Sequence, residues 1–379
     1  MLIGIDASRA AYPQRTGTEN YSLFLIRTLL AQDSENHYRL YFSFPPKPGL
    51  FPAAPNAEIR TIPFPRLWTH ARLSWEMATR PPDVLFVPAH VLPLVHTRHS
   101  VVTVHDLGYL HYPQAHTRWG RWYLRWSTSR NARTASHIIA DSQATKRDLT
   151  SHAEVPSERI TVVYPGHDPS FGPVREPARL NAVRERFGIP GRYALYVGTL
   201  QPRKNLGRLM GACAMLAHEG DQVHLVIAGK KGWLHQSLFA QARQLGLKER
   251  VHFAGYVPQQ ELPALISGAA VFVLPSLYEG FGLPVLEAMA CGTPVICSNV
   301  SSLPEVAGDA AVLVDPLDTA GLARAIHRVM SDKDLQRDLA QKGLERAREF
   351  SWEKAARQVR TILMSAAATK RPRARNLQP

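Results

Sequence analysis

The sequence predicts an α/β protein with two doubly wound, Rossmann-like domains, each built on a parallel sheet. Its 379 residues suit two domains of ordinary size, each able to bury a core. Short apolar runs such as Val84–Val87 and Val101–Val104 alternate with helical stretches, which is typical of strands buried on both faces. The segment Pro169–Pro177 contains three prolines and is the predicted hinge, so the domains are expected at residues 1–170 and 178–350.

The N-terminal domain begins with a predicted strand, Leu2–Asp6, followed by a loop and an amphipathic helix that Thr16 or Thr18 caps. The proline-rich loops between later strands read as surface connections. The later strands predicted here are Tyr38–Ser43, Glu58–Ile62, Val84–Val87, Val101–Val104, His137–Ser142 and Ile160–Tyr164.

The C-terminal domain repeats the order of strand, turn and helix. Its strands end in turns such as the one at Gly198, at the sheet edge where doubly wound folds bind ligands. A last helix, capped by Ser351, follows this domain. The strands predicted here begin at Tyr193, Val223, Val251, Ala270, Thr293 and Ala311.

One stretch of the C-terminal domain, Leu277–Ala290, has the chemistry of a ligand site. It follows the apolar run Ala270–Pro275 and contains a glycine-rich turn, and Pro284 suits the first turn of a helix. The N–H groups of Phe281, Gly282 and Leu283 are then expected to face outward at the helix start, which forms an anion site.

Two carboxylates flank this anion site. Glu279 lies in the turn, and Glu287 lies eight positions later, about one turn inside the helix. A carboxylate does not bind phosphate, but it accepts hydrogen bonds from hydroxyls of a sugar or a ribose on either side of it. A nucleotide-sugar has this layout; the alternative is that both acids are solvated or stabilise the helix dipole.

The order of strand, E-G-F-G-L-P, helix and E-A-M-A-C-G-T-P-V-I closely resembles the glutamate-seven-residues-glutamate signature of retaining glycosyltransferase family 4. Members of that family have the GT-B fold, in which two such domains face each other across a cleft. The resemblance implies that the C-terminal domain holds the nucleotide and the N-terminal domain the acceptor. It implies that Glu287 binds ribose hydroxyls and that Glu279 binds hydroxyls of the donor sugar. It also implies that a helix at about 351–364 crosses back to the first domain.

Further site residues follow from their place after strands. Arg203 and Lys204 either clamp a diphosphate or are surface charge. The resemblance favours the clamp, in which these cations offset the negative charge on the departing diphosphate. It also implies that His105 contacts the donor sugar and that Gly17 faces the diphosphate and the acceptor. The remaining donor-binding assignments are Gly198 and, beside the nucleobase, Tyr256 and Val257.

The formal net charge of +14 favours anionic partners, namely nucleic acid, an anionic membrane surface or phosphorylated small molecules. Nucleic acid is the weakest of these three candidates, because the sequence has neither zinc-finger spacing nor an RNP-type aromatic motif. The absence of G-x-G-x-x-G after any strand gives no support to a dinucleotide dehydrogenase. The three cysteines fit a reducing compartment without structural zinc. No aspartate-any-aspartate element stands out as a divalent-ion site, so neither a metal nor a cofactor is predicted.

The most unusual stretch is Thr117–Arg133, which is basic, aromatic and free of acids. On a helix, Trp119, Trp122, Tyr123 and Trp126 share one stripe with arginines around it. One hypothesis is an interfacial helix on an anionic membrane. The alternative is that the stripe packs against the sheet and the arginines are solvated.

The predicted location is the cytoplasm, with peripheral association at the inner face of the cell membrane. No apolar run reaches the roughly 18–20 residues needed to cross a bilayer. The start at Met1–Asp6 reads as a strand without a basic leader. The basic residues 365–379 are expected to form a disordered tail.

The resemblance predicts a retaining, metal-independent hexosyltransferase that acts by same-face attack, with the leaving phosphate taking the acceptor's proton. The hypothesised donor is GDP-mannose, and the acceptor is a saccharide or lipid-linked saccharide in surface polysaccharide synthesis. Two alternatives are a nucleotide-sugar epimerase on the same fold and a catalytically silent, peripheral membrane-binding protein.

Overall fold

The structure is a computed structural model that describes residues 1–89, 91–113, 117–230 and 235–368, without the side chains of residues 235 and 236. Of the predicted tail, residues 369–379 lie outside the described residues. Within the described part, two parallel sheets each carry helices, which confirms the predicted α/β class with two doubly wound sheets.

The N-terminal sheet has seven strands within the described residues, in the order β3-β2-β1-β4-β5-β6-β7. Strand order reverses between β1 and β4, which places a ligand-binding crevice at their carboxyl ends. The strands are β1 (Leu2–Asp6), β2 (His37–Phe42), β3 (Ala57–Thr61), β4 (Val84–Val87), β5 (Ser100–Val104), β6 (His137–Ala140) and β7 (Ile160–Val162). The helices are α1 (Gly17–Gln32), α2 (Ser74–Thr79), α3 (Gly108–His111), α4 (Arg118–Thr134) and α5 (Gln143–His152).

The C-terminal sheet has six strands in the described part of the chain, in the order β10-β9-β8-β11-β12-β13. Here the order reverses between β8 and β11. The strands are β8 (Tyr193–Val197), β9 (His224–Ala228), β10 (Val251–Gly255), β11 (Val271–Leu274), β12 (Val295–Ser298) and β13 (Ala311–Val314). The helices are α6 (Pro177–Arg186), α7 (Leu206–His218), α8 (His235–Gln244), α9 (Leu262–Ser267), α10 (Leu283–Ala290), α11 (Leu303–Ala307), α12 (Thr319–Ser331), α13 (Lys333–Arg348) and α14 (Trp352–Ala368).

The central strands are buried on both faces, as their apolar runs predicted. All residues of β4 and of β11 are buried. In the second sheet, Val271 and Phe272 pair in parallel with Ala194 and Leu195 of β8. Helices on both faces of each sheet make this burial possible, so the strands read as continuous hydrophobic segments.

Helix α14 returns to the N-terminal domain and packs on α1. The Trp352 ring lies 5.6 Å from the ring of Tyr21 and 5.9 Å from that of Phe24. Backbone atoms of Ser351 and Trp352 also lie so close to Gly166 that a β-carbon there would overlap them. The two segments that connect the domains therefore touch each other.

The predicted start of the tail at residue 365 is wrong, because α14 continues to Ala368. Residues 365–368 include three alanines, which are the strongest helix formers. Ala366 is buried against the N-terminal core, so this last turn is held by packing as well as by propensity.

Helix α4 forms as its periodicity predicted, but its aromatic stripe lies on the surface. Trp119 is 81% exposed and Trp122 is 60% exposed. The buried side of the helix instead carries Ser127, Thr128, Asn131 and Ala132. The alternative in which the whole stripe packs against the sheet is therefore wrong for Trp119 and Trp122, whereas Trp126 is partly buried with its ring 5.7 Å from that of His70. Among the residues that the structure describes, no helix has the length and apolarity needed to cross a bilayer.

Candidate active site

A cleft of about 380 Å³ lies where the carboxyl ends of the two sheets face each other. Both domains line it, in agreement with ligand binding at the switch points of doubly wound sheets. Every residue that the sequence assigned to the site lines this cleft: Gly17, His105, Gly198, Arg203, Lys204, Tyr256, Val257, Glu279, Phe281, Gly282, Leu283 and Glu287.

Glu279 is the centre of a buried ionic cluster and is only 6% exposed. Its Oε2 accepts a hydrogen bond from Arg203 Nη1 at 3.0 Å, and its Oε1 pairs with Lys204 Nζ. Ser276 Oγ donates to the same Oε1 at 2.6 Å. Burial alone would raise the pKa of Glu279, but the charges of Lys204 and Arg203 and these hydrogen bonds lower it to about 2. Glu279 is therefore an anion at neutral pH.

The two cations of this cluster differ in their electrostatics. Burial lowers the pKa of Lys204 and outweighs the opposing charge of Glu279, and the charge of Arg203 lowers this pKa further. The pKa of Arg203 is raised, because the nearby carboxylate of Glu279 outweighs the cost of burial. Two cations thus face Glu279 at the carboxyl end of β8, and the carboxylate of Asp106 also acts on both of them. Arg15 and Lys230 line the same cleft and supply further positive charge for an anionic ligand.

The loop after β8 is fastened to the turn after β11. Asn205 adopts a left-handed conformation with a φ of 60°, and its Nδ2 donates to the carbonyls of Pro275 at 3.0 Å and Pro316 at 2.7 Å. The N–H of Leu277 donates to the carbonyl of Arg203 at 2.8 Å. This fastening explains how side chains 75 residues apart in sequence meet in one cluster.

Two glycines permit the close approach of the turn to its surroundings. A β-carbon on Gly280 would overlap the carbonyl oxygen of His105 in the other domain. Gly282 has a φ of 108°, a conformation that glycine adopts without strain, and it caps the start of α10. Thr145 Oγ1 adds hydrogen bonds to the carbonyls of Gly280 at 3.3 Å and His105 at 3.1 Å.

Glu287 lies on α10, partly buried at the cleft. Burial, followed by the charge of Asp168, raises the pKa of Glu287 to about 8. It is therefore mostly protonated at neutral pH and can both donate and accept a hydrogen bond. The sequence predicted a carboxylate that only accepts, so the structure changes its expected chemistry.

His105 uses both ring nitrogens within the protein. Its Nδ1 lies 2.6 Å from Asp141 Oδ2, and its Nε2 lies 2.9 Å from the carbonyl oxygen of Pro88. Burial opposes the charged imidazolium, but the charge and hydrogen bond of Asp141 outweigh it and raise the pKa of His105. Both ring nitrogens are thus engaged within the protein, so a hydrogen bond from the ring to a donor sugar requires exchange of one of these bonds.

Asp141 is a cleft residue that sequence reasoning missed. It is buried, it lines the cleft, and its Oδ1 has no hydrogen-bond partner among the described residues. The available signal was its position directly after β6, at the same sheet edge as His105. A buried carboxylate oxygen without a partner suits a hydroxyl of a bound ligand.

On the N-terminal side, α1 begins at the cleft with Gly17. Thr16 is its cap, since its N–H and hydroxyl both bond the Glu19 side chain in a capping box. Lys230 reaches across the cleft from the other domain and donates to the carbonyl of Gln14 at 3.1 Å. Its ammonium also lies 5.5 Å from the ring centre of Tyr256.

Tyr278 joins the domains beside the site and was also missed. Its hydroxyl donates to Asp148 Oδ2 at 2.6 Å and accepts from the N–H of Leu107 at 3.3 Å. The residue directly before Glu279 is thereby anchored to the N-terminal domain. Within the described ranges, no group of three or more His, Cys, Asp or Glu side chains is arranged to hold a metal.

Two doubly wound domains that share a cleft at their strand ends form the GT-B architecture of glycosyltransferases. The family described as Glycosyl transferases group 1 matches residues 182–346, and Glycosyltransferase Family 4 matches residues 16–171. The O-antigen chain mannosyltransferase B of Escherichia coli is 34% identical over 296 residues, which is 77% of each chain. The chain therefore belongs to the GT-B glycosyltransferases with family 4 and group 1 domains.

Solved structures agree with this fold. Sucrose-phosphate synthase from Thermosynechococcus elongatus superposes with a TM-score of 0.77 at 23% identity, over 97% of this chain and 100% of that one. HepE from Anabaena, in complex with UDP and glucose, gives a TM-score of 0.74 at 21% identity, over 96% and 99% of the chains. At these identities the similarity concerns the fold alone.

Proposed function

We propose that this glycosyltransferase moves mannose from GDP-mannose to a saccharide or lipid-linked saccharide, with retention of anomeric configuration and without a metal. The observation that carries the proposal is the cluster of Glu279, Arg203 and Lys204 in a cleft that both domains line. The cations of this cluster, together with Arg15 and Lys230 of the same cleft, suit the diphosphate of a nucleotide-sugar. The cytoplasmic face of the cell membrane is the proposed location.

The donor and the pathway rest on relatives. The Escherichia coli mannosyltransferase with 34% identity acts, by its name, on an O-antigen chain. By analogy we assign this chain to surface polysaccharide synthesis, with GDP-mannose as donor. The nucleotide-sugar class of the donor has independent support in the acidic and basic groups of the cleft.

The proposed step needs no side chain as the base. The acceptor hydroxyl attacks the anomeric carbon on the face that the diphosphate leaves. The new carbon–oxygen bond forms as the bond to the phosphate oxygen breaks, and the hydroxyl proton passes to that phosphate oxygen. Arg203, Lys204 and the N-terminus of α10 at Phe281–Leu283 stabilise the charge that grows on the leaving diphosphate.

The acidic residues position the donor in this proposal. Glu279 holds both cations in place and offers its oxygens to hydroxyls of the sugar. Glu287, whose pKa burial raises to about 8, bonds the ribose hydroxyls from the side of α10. Tyr256 and Val257 border the base, while Gly17 and Gly198 allow backbone approach to the phosphates. His105 contacts the sugar, with Asp141 as its partner.

A donor panel with product analysis tests the proposal. The purified protein is incubated with GDP-mannose, UDP-glucose and related donors, with and without acceptor and EDTA. Transfer from GDP-mannose that EDTA leaves unchanged, with the donor's anomeric configuration kept in the product by NMR, supports it. Use of UDP-glucose with no reaction of GDP-mannose overturns the donor assignment.

The same panel, together with a vesicle-binding assay, distinguishes the two alternative functions. Conversion of a donor to another sugar without any acceptor indicates an epimerase. Binding of vesicles with no reaction of any donor indicates a silent membrane-binding protein. If a Lys204→Ala variant retained the wild-type rate of transfer, this result would contradict the electrostatic role of the cluster.

A further inference from the structure

The N-terminal domain carries an unusual set of large apolar side chains on its surface, which we term the aromatic face. Leu67 is 73% exposed, Trp75 66%, Trp119 81% and Trp122 60%. Exposed apolar patches of this kind mark interaction sites rather than ordinary surface. The further members of the aromatic face are Phe64, Leu94, Val95 and Tyr123.

These residues come from three segments that contact one another. His70 Nε2 lies 2.7 Å from Tyr123 Oη, which joins the segment before α2 to helix α4. The N–H of Val95 donates to Ser74 Oγ at 3.2 Å, which joins the loop after β4 to the start of α2. Arg130 Nη2 of α4 donates to the carbonyl of Leu94 at 2.6 Å, so the three segments that carry the aromatic face are joined to one another.

The charge of this surface is of one sign. Residues 62–75 and 107–140 contain no aspartate or glutamate. Arg66, Arg118, Arg121 and Arg125 are exposed among the apolar side chains. The nearest following acid, Glu76, is buried and paired with Arg60 and Arg72, so it does not balance the exposed arginines.

The segments that carry the aromatic face begin at the same edge of the N-terminal sheet as the cleft. Helix α4 and the segment before α2 both leave the carboxyl edge of the N-terminal sheet, the edge that also carries His105 and Gly17. Arg9, which pairs with Glu19 of α1 at 3.5 Å, is close enough to Tyr123 for its charge to act on that hydroxyl. A surface bound here would lie beside the acceptor side of the cleft.

We propose that the aromatic face binds the anionic surface of a lipid bilayer, with the tryptophans in the interface and the arginines on lipid phosphates. Tryptophan favours the bilayer interface because its ring is apolar and its N–H is polar. Arginine near an anionic bilayer adds attraction that neutral lipid does not supply. The role of this contact, which is to bring the cleft to a lipid-anchored acceptor, rests on the proposed function.

Vesicle sedimentation of the full chain tests the lipid contact. The wild type is expected to pellet with phosphatidylcholine vesicles that contain phosphatidylglycerol and to stay in solution with phosphatidylcholine alone. Replacing Arg118, Arg121 and Arg125 with Gln is expected to weaken binding roughly fivefold per arginine, or about a hundredfold together. The matched control replaces Arg179, Arg324 and Arg337, which are exposed on the C-terminal domain, and should bind like the wild type.

A second variant tests the apolar part. Trp119→Ala with Trp122→Ala should reduce the blue shift of tryptophan fluorescence that the wild type shows on anionic vesicles, because only Trp75 of the face's exposed tryptophans remains. Both tryptophans are exposed, so the melting temperature should not change. The proposal is overturned if the arginine variant pellets as much as the wild type, or if the wild type pellets with vesicles of phosphatidylcholine alone. A dimer in gel filtration that the tryptophan variant abolishes also overturns it, since the face would then bind a second copy.

Failure of the lipid contact and failure of the proposed function give different results. Hydrolysis of whichever donor is active in the panel should be the same for all these variants, because none of the substituted residues lines the cleft. Loss of vesicle binding with normal hydrolysis supports the lipid contact. Vesicle binding by the wild type with no reaction of any donor overturns the function and leaves the contact standing.

Discussion

Replacing Glu279 with Gln is expected to lower the free energy of unfolding by roughly 3 kcal/mol at pH 7. The ordinary pKa of 4.5 falls to about 2 in the folded protein. At about 1.4 kcal/mol per pH unit, this difference corresponds to roughly 3 kcal/mol of stability. The same order of cost is expected when one member of a buried ion pair is removed and its partners stay charged.

The pH dependence has a definite sign. The pKa of Glu279 is depressed by folding, so its contribution is complete above pH 4.5 and is lost as the pH falls toward 2. The difference between wild type and Glu279→Gln should therefore be constant near neutral pH and shrink below pH 4.5. Urea unfolding at several pH values, followed by fluorescence, measures it.

Two further variants make this test specific. Glu345→Gln, at an exposed position of α13, is the control and should change stability by less than about 0.5 kcal/mol. Combining Glu279→Gln with Lys204→Met should be less destabilising than the sum of the single changes, because the buried ammonium is removed with its partner. A neutral effect of Glu279→Gln, or a loss that does not vary with pH, would refute the reasoning.

Three further predictions concern the cleft. In Asp141→Asn the pKa of the His105 imidazole should fall, because the carboxylate that raises it is gone; NMR titration of the ring checks this, and an unchanged titration contradicts it. Gly280→Ala should reduce transfer by about a hundredfold by pushing the domains apart, while Gly172→Ala, where a β-carbon meets no atom, should leave the rate unchanged in the same assay. Because folding raises the pKa of Glu287, this residue ionises first in the unfolded protein, and the wild type loses stability as the pH rises from 4.5 to about 8. Glu287→Gln should therefore gain stability relative to the wild type across that window in urea unfolding, and a difference that stays constant with pH argues against it.

The sequence predicted the fold well, because strands buried on both faces must be apolar along their whole length. Val84–Val87 is an example, and the structure has it as β4 with the same bounds. The meeting of Arg203 and Lys204 with Glu279 was also predictable, since parallel strands direct their carboxyl ends to one edge of a sheet.

Other features depend on contacts that no local pattern contains. The hydrogen bond between His105 and Asp141 joins residues 36 apart in sequence, and the raised pKa of Glu287 depends on its burial and on the charge of Asp168, which is distant in sequence. The end of α14 was missed because the packing of Ala366 on the first domain is a tertiary contact. The periodicity of α4 predicted a helix, but periodicity alone does not say whether an aromatic stripe meets protein or solvent.

The contact between Gly166 and Trp352 restricts how the two halves can move. A single connection between the domains would allow one half to rotate relative to the other in any direction. Here the outgoing and returning segments of the chain are in contact near Gly166 and Trp352, so two crossings of the chain at one place restrain the relative rotation of the halves. A bulkier residue at position 166 would force these two segments apart, which should change the angle between the halves and with it the geometry of the cleft that both halves line.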